Sequence, residues 1–411
     1  MTHRLYYEDA YLKEFEATVL ECKPCDAQAH NSFNPKERIG PDRYCVRLDR
    51  SAFYPTSGGQ PYDTGILGER RVLDVYVDNS GMVWHVLDGT LEAGKKVVGT
   101  IDWPRRFDHM QQHAGEHMLA GQFFHSLHGH TIGLHLGAEF SSIDVELPGG
   151  EMRVDAETLE EIERQVNENI QRDVPIVCSF PDSQTLAQMR LRKPPTVREH
   201  VRVVSIGDFE AVACGGTHPS STGQIGLLKI LDARPSRGKM RVCFVCGMRA
   251  YRDYQRRFEV IKEVAEGFST GFEELPRCVE GLKERLYQAE HELVALRRRA
   301  LLDGADQMLQ NAQPGAAGQV VCAFVEADAA LLRDLATNLI ERPGIVALLG
   351  AKAGENCLYV FARSADVEAD MGALIRSAAA QCGGKGGGKK DFAQGGGPAE
   401  MLEIAKLSLI S

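Results

Sequence analysis

No stretch of the 411-residue sequence approaches the length of a membrane span, and the opening Met-Thr-His-Arg-Leu-Tyr-Tyr-Glu lacks the apolar segment of a secretory signal. The expectation is a cytoplasmic protein with no membrane partner. An even set of cysteines is missing too: there are eleven, scattered through metal-like and strand contexts, which argues against a disulfide framework and for a reducing compartment. Positive charge is short, with 47 Lys and Arg against 57 Asp and Glu and a net charge of -10. That balance disfavours nucleic acid as a partner for the whole surface but leaves local patches free to bind phosphate. Candidates are Arg190-Leu-Arg-Lys193, Arg297-Arg-Arg299 and Lys389-Lys390, each more simply read as a solvated face. Hydrophobic residues at 43% and charged residues at 25% are ordinary for a soluble protein, long enough here for two to four domains.

Two pairs of metal-ligand residues share one spacing: His113-Ala-Gly-Glu-His117 and, about a hundred residues on, Cys214-Gly-Gly-Thr-His218. At i and i+4 of a helix the first two imidazoles project from one face and can reach a single ion. The second pair follows the apolar run Val201-Arg-Val-Val-Ser-Ile206 and contains Gly215-Gly216, a strand leading into a turn. Four soft-to-borderline ligands of this kind suit one zinc ion per chain. A zincin protease would carry glutamate directly after the first histidine, where this chain has Ala114, and Glu116 is expected to point elsewhere on the helix. Two CxxC pairs, Cys22-Lys-Pro-Cys25 and Cys243-Phe-Val-Cys246, lie far apart in sequence, and the second sits in a strand-like run, which disfavours a metal role.

The expected class is α+β, in four parts. Residues 1–103 alternate short apolar runs with turns (Phe15 to Leu20, Tyr44 to Leu48, Val72 to Tyr76, Val83 to Leu87), as in a small β-barrel. Residues 104–248 mix the His113 helix, a strand from Glu139 to Leu147, a helix from Glu157 to Gln171 and strands flanking Cys214, giving a zinc-bearing α/β domain. Residues 249–312 read as a helical coiled-coil hairpin: a helix from Ala250 to Glu266, a break at Ser269-Thr-Gly271, and a seam of Leu282, Leu286, Ala289, Leu293, Leu296 and Ala300. Residues 313–411 form a small α/β domain with strands at Val320 to Val325, Ile345 to Leu349 and Cys357 to Phe361. It contains Gly383-Gly-Lys-Gly-Gly-Gly-Lys-Lys390 and Gly395-Gly-Gly397, glycine density that suits a phosphate cradle, close backbone packing or a plain loop.

Phe53-Tyr-Pro-Thr-Ser-Gly-Gly-Gln60 with Asp63 and Gly65, Arg106-Phe-Asp-His-Met-Gln-Gln-His113 with His117, and Cys214-Gly-Gly-Thr-His218 with Thr222-Gly-Gln-Ile-Gly226 closely resemble the editing domain of alanyl-tRNA synthetases. Gly383 to Lys389, Asp391 and Ala393-Gln-Gly-Gly-Gly397 resemble the C-terminal C-Ala or DHHA1 tRNA-binding domain of the same enzymes. With no class II catalytic core ahead of the barrel, the chain resembles the long form of the AlaX family of free-standing editing hydrolases. That resemblance implies ATP-independent hydrolysis of the ester on tRNA(Ala) mischarged with serine or glycine. It implies zinc on His113, His117, Cys214 and His218, and a functional Gln60. A threonine common in the family is Ser51 here, which keeps the hydroxyl and loses the methyl. Two rival readings stand beside it: a deacylase of mischarged threonine tRNA, and a non-catalytic tRNA-binding factor with structural zinc.

Four protein ligands would close a tetrahedron, so zinc could lose a ligand, expand to five-coordinate or mainly position substrate. Gln60 and His109 are the catalytic candidates; His109, one turn before His113, is read as supporting the metal ligands in preference to acting as base or core. Because alanine is smaller than serine, rejection of alanine must come from polar groups left unpaired when the hydroxyl is absent. Ser51, Thr56 and Gln60 are the candidate partners, with His135 either lining the pocket or standing as an ordinary strand residue. Lys385, Gly386, Gly387, Gly388, Lys389 and Lys390 are the candidate tRNA contacts, and a homodimer through the helical hairpin or the C-terminal domain is open.

Overall fold

Six strands close into a barrel near the start of the chain: β1 (Glu14–Pro24), β2 (Tyr44–Leu48), β3 (Gly65–Leu67), β4 (Arg70–Val77), β5 (Val83–Leu87) and β6 (Lys96–Ile101). Their order around the barrel is β1-β2-β5-β4-β3-β6, with β6 pairing back to β1. The computed structural model describes residues 2–410 apart from 27–30, 35, 39, 196, 198 and 355. Alternation drives the closure: β1 buries Phe15, Ala17 and Val19 while Glu14, Glu16 and Leu20 face out, so one face of each strand fills a common interior. The sequence signals four of these strands and misses β3 and β6. β3 has three residues, and the period of β6 is blurred by exposed Val98 and by Gly99, where a Cβ would sit 2.4 Å from the Phe15 ring.

The chain divides into two compact units, Met1–Glu263 and Val264–Ser411. In the first, the barrel runs directly into helix α1 (Trp103–Leu127), started by Pro104 and by the Asp102 carboxylate accepting from Arg105 N, and ended by His128 in the left-handed conformation at φ 52°. From His109 to Phe123 every residue of α1 is buried. One side packs through Ala114, Met118, Leu119 and Phe123 on a four-stranded antiparallel sheet, in the order Leu228–Ser236, Lys239–Cys246, Ser141–Glu146, His130–Leu136. Helix Ala156–Gln171 adds Ile162, Val166 and Ile170 to the same core. A second antiparallel sheet, Ile176–Ser179, Val203–Ile206 and Glu210–Ala213, leads into Cys214. The apolar run at Val201 to Ile206 is therefore the middle strand, and a further hairpin strand separates it from the cysteine.

The cysteines divide differently from the sequence pattern. Cys25 is bonded to Cys45, across β1 and β2 with a Cα–Cα distance of 5.3 Å, so it does not pair with Cys22. Nine cysteines are free among the described residues, so one bridge stands in place of a framework. Cys246 packs against α1 at Gly115, where a Cβ would lie 2.2 Å from its sulfur, and burial pushes its thiol well up. Cys243 and Cys246 thus serve the strand and the core.

The second unit holds a helix, Leu275–Asp303, with no buried residue; Leu282, Leu286, Leu293 and Leu296 of the expected seam are exposed. Its six-stranded sheet runs in the order Gln313–Gly315, Gly318–Phe324, Ile345–Ala353, Asn356–Arg363, Phe392–Gly397, Lys385–Gly388. The glycine-rich segments are a β-ladder, Lys385 opposite Gly396, Gly386 opposite Gly395 and Gly388 opposite Ala393. A Cβ on Gly388 would fall 2.4 Å from Ala393 Cα, and one on Gly395 2.7 Å from Lys385 O, so close backbone packing is what the glycines provide. Among the described residues no helix is long and apolar enough to cross a membrane.

Arg106 and Asp63, both fully buried, tie α1 to the barrel. Arg106 Nε donates to both Asp63 oxygens at 3.0 and 2.9 Å, its Nη1 to Ala10 O at 2.9 Å and its Nη2 to Ala52 O at 2.5 Å, while Tyr54 N donates to Asp63 at 2.6 Å. Removing one partner strands a buried charge. Arg106→Met is expected to lower unfolding stability by about 3–5 kcal/mol, measured by urea denaturation; a loss under ~1 kcal/mol would show that the pair does not hold the helix.

Candidate metal centre

α1 presents His113 and His117 one turn apart, and the turn after strand Glu210–Ala213 presents Cys214 and His218. One donor atom from each of the four lies within 4.8 Å of the others. Cys214 Sγ is 3.4 Å from His113 Nε2 and 3.3 Å from His218 Nε2, and the His113 and His218 rings are 4.5 Å apart. Tetrahedral zinc with bonds of roughly 2.0–2.3 Å puts its ligands about 3.3–3.8 Å apart, a range that holds both cysteine distances.

Two of the three imidazoles are aimed by their second nitrogen, while His218 Nδ1 is buried without a partner. Gln60 Oε1 accepts from His113 Nδ1 at 2.8 Å, and Glu210 Oε1 accepts from His117 Nδ1 at 2.9 Å. Both bonds fix the tautomer that leaves Nε2 as a lone-pair donor toward the centre. His117 Nε2 is buried there with no hydrogen-bond partner, an orphan that a metal ion would satisfy. The electrostatics agree. Burial pushes the Cys214 thiol up, but His113 and His218 outweigh it and hold it well below the usual range. Burial pushes His117 down, yet the neighbouring Cys214 sulfur and the Glu210 hydrogen bond raise it to about 10, while burial lowers His218 to about 3. These directions favour a thiolate at Cys214 and positive charge beside it, which a bound cation would supply.

The ligand turn is held from several sides. Arg202 Nη1 donates to Cys214 O at 2.9 Å and to Gly216 O at 2.8 Å. Gln60 accepts from Thr217 N at 3.1 Å and donates to Thr217 Oγ1 at 2.8 Å, so its whole amide joins the helix ligands to the turn ligands. Gly216 must lack a side chain, since a Cβ would lie 2.2 Å from His113 Cε1. The Gln60 turn bends through Gly58 and Gly59 at φ 57° and 86°, and Gly59 O accepts from Leu136 N at 3.1 Å.

The structure thus brings His113, His117, Cys214, His218 and Gln60 together. It gives the remaining candidates other surroundings. The Ser51 hydroxyl is fully buried, 2.7 Å from His85 Nε2, and burial lowers His85 to about 4. Thr56 Oγ1 is 2.6 Å from Ser32 Oγ. His135 is exposed and stacked on Phe33 at 5.2 Å. His109 is buried with Nδ1 unpartnered; burial, then Arg105, Arg249 and Arg106, hold it well below its usual value. Lys385, Lys389 and Lys390 are exposed, Lys385 on the strand at the sheet edge.

Three residues escape the sequence reading. Glu210 is one, anchored by Arg192 through two bonds of 3.1 Å. Arg192 belongs to the basic run 190–193, yet its side chain is 7% exposed and faces a carboxylate, not solvent or phosphate. Thr217 sits inside the ligand motif. Glu116 is the third: its Oε2 lies 3.9 Å from His117 Nε2, on the ligand side of α1. The i,i+3 relation to His113 is the signal that could have placed it.

Family models match along the chain: tRNA synthetases class II (A) at residues 2–105, the threonyl and alanyl tRNA synthetase second additional domain at 201–242, and the DHHA1 domain at 317–408. A barrel, a donor set of three histidines and one cysteine, and a separate glycine-laddered unit define a synthetase-related editing-type module. The alanyl-tRNA editing protein AlaX-L of Pyrococcus horikoshii is 30% identical over 100% of this chain and 98% of its own length. The alanine–tRNA ligases of Pyrococcus abyssi and Archaeoglobus fulgidus are 31% and 34% identical over 96% of the chain, which spans 42% of each ligase. A crystal structure of the C-Ala domain from Aquifex aeolicus alanyl-tRNA synthetase is 26% identical over 24% of this chain and 93% of that one, with a TM-score of 0.23, too low to bear on the fold. The chain belongs to the AlaX-L family of alanyl-tRNA editing proteins.

Glu210→Gln keeps an acceptor for His117 but turns an amide toward Arg192. Loss of such an outer partner is expected to weaken zinc binding by roughly 10–100-fold with the fold intact, measured by competition with a chromophoric chelator and by circular dichroism. Unchanged affinity would remove Glu210 from the support of the centre.

Proposed function

We propose that the protein is an aminoacyl-tRNA deacylase that clears serine, and glycine as a second substrate, from tRNA(Ala) in the cytoplasm. The observation that carries this reading is the convergence of His113, His117, Cys214 and His218 with Gln60 in a chain that aligns end to end with an AlaX-L editing protein. In the reaction, water adds to the ester carbonyl, the bond from the acyl carbon to the ribose oxygen breaks, that oxygen takes up a proton, and the amino acid leaves as its carboxylate. One zinc ion on the four donors would supply Lewis acidity toward the carbonyl or the attacking water. Gln60 and Glu210 keep His113 and His117 aimed, and Arg202 and Gly216 hold the cysteine turn against them.

Serine is separated from alanine by its hydroxyl, so recognition draws on polar groups near the Gln60 turn. Thr217, whose oxygen accepts from Gln60 and whose own hydrogen remains free to donate, and Thr56 serve this role; Ser51, engaged by His85, shapes the barrel wall. Exposed Lys385, Lys389 and Lys390 are assigned to tRNA phosphate. The exposed leucine seam of helix Leu275–Asp303 is assigned to a homodimer.

The test is release of amino acid from seryl-, glycyl- and alanyl-tRNA(Ala), with a chelator control. Seryl ester is expected to be cleaved at least ~100-fold faster than alanyl ester, since a missing hydroxyl leaves site groups unpaired, and the chelator is expected to abolish the difference. Cys214→Ala should lose zinc and deacylation together. Metal-loaded protein that binds seryl-tRNA and leaves it intact would establish a binding factor instead, and equal cleavage of seryl-tRNA(Thr) would move the substrate.

A further inference from the structure

Four acidic side chains are buried among the described residues: Asp63, Asp74, Glu116 and Glu210. Three are matched within the protein. Asp63 faces Arg106 and Tyr54 N, Asp74 accepts from Ser32 N at 2.7 Å and from the Ser32 hydroxyl at 2.5 Å, and Glu210 holds Arg192 and His117. Among the described residues Glu116 accepts no hydrogen bond and has no arginine or lysine within ion-pair distance; its one ion-pair neighbour is His117 Nε2, at 3.9 Å, and its carboxylate, though only 5% of the residue is exposed, is not sealed off from an incoming group. A buried carboxylate without a partner is costly, and proteins tolerate one where something else supplies the cation.

A metal ion on the four donors is a poor candidate for that role. The three histidines and the cysteine already complete a tetrahedral set, and Glu116 falls outside the group whose donor atoms converge. The other cation that reaches this centre is carried by the substrate. An aminoacyl ester differs from other esters by a free α-ammonium two bonds from the carbonyl carbon. With the carbonyl at the centre, that ammonium lies within a few ångströms of the donors, where Glu116 waits on the same face of α1 as His113 and His117.

We infer that Glu116 is the α-ammonium subsite of the aminoacyl ester, so that the site accepts esters with a free amine and refuses N-acylated ones. The inference rests on the deacylase reading above. It adds a filter that is independent of serine recognition, because seryl, glycyl and alanyl esters share the ammonium. The class it shuts out is the N-blocked ester, the chemistry of a growing peptide on tRNA, which a less guarded hydrolase would destroy.

The experiment uses the full metal-loaded chain and two uncleavable probes, seryl-adenosine with an amide in place of the ester, and the same molecule N-acetylated, with binding followed by calorimetry. Wild type is expected to bind the free amine about 10–100-fold more tightly, the worth of a hydrogen-bonded buried charge. Glu116→Gln, equal in shape and uncharged, should narrow the gap to within about 3-fold while holding zinc as wild type does in chelator competition. Glu116→Asp, with its carboxylate withdrawn by one methylene, should fall between them. Equal binding of both probes by wild type overturns the inference, as does a full gap in metal-loaded Glu116→Gln. If Glu116→Gln does not fold, a full wild-type gap in Glu116→Asp overturns it in the same way. Zinc loss in Glu116→Gln with an undiminished gap in Glu116→Asp makes the residue a metal ligand instead. Hydrolysis of seryl-tRNA with no preference between the probes rejects the subsite and leaves the deacylase standing, whereas failure to cleave seryl-tRNA or bind either probe rejects both.

Discussion

A helix sunk into a protein along most of its length must find a partner for every polar group it carries, because each one left alone costs about 1–3 kcal/mol. α1 is such a helix, and it is rich in polar residues. Arg106 meets Asp63 of the barrel, and Gln111 donates to Gln224 O at 2.9 Å. Gln112 bonds both backbone groups of Cys246, His113 meets Gln60, His117 meets Glu210, and Gln122 meets Ser126 and Gln165. Those partners come from the barrel, two sheets, a second helix and a loop. The demand for satisfaction on α1 thereby fixes where the elements of the first unit sit around it, and the two histidines are placed with the precision of a core.

Two poorly matched groups on this helix lie side by side at the donor cluster, and a third, His109 Nδ1, lies one turn before His113. His117 Nε2 has no hydrogen-bond partner, and among the described residues Glu116 has no lysine or arginine within ion-pair distance, only His117 Nε2 at 3.9 Å. On a helix whose other polar groups are mostly paired, this is where a partner from outside the chain would find groups to satisfy. Gln60 gains meaning from the same view. Its amide is used on both sides, toward His113 and toward Thr217, which makes it a brace between the ligand-bearing helix and the ligand-bearing turn.

Legibility in the sequence followed range. The helix at Ala156–Gln171, the strands at Tyr44–Leu48 and Val83–Leu87 and the four donor residues could be read because period and spacing are local properties. Glu210 could not be, since its partners His117 and Arg192 are 93 and 18 residues away and the strand around it offers only a lone acid among apolar residues. Arg192 reads as solvated because it belongs to a basic run, yet the fold turns it inward. Glu116 is legible from its i,i+3 relation to His113, which places it on the ligand side of the helix even though the zincin position itself is Ala114. The glycine-rich stretches had three open readings, and only the register of Lys385–Gly388 on Phe392–Gly397 selects close backbone packing.

The partners of α1 straddle it along the chain, Gln60 and Asp63 before it and Gln165, Glu210, Gln224 and Cys246 after it. During synthesis from the N-terminus the helix therefore emerges with its polar groups only half provided for, and cannot reach its final pairing until Cys246 has left the ribosome. The barrel has its own core and is free to form first. Assembly of the four donor side chains thus comes late in the birth of the first unit, and a chain truncated inside the Lys239–Cys246 strand would leave both helix histidines without that setting.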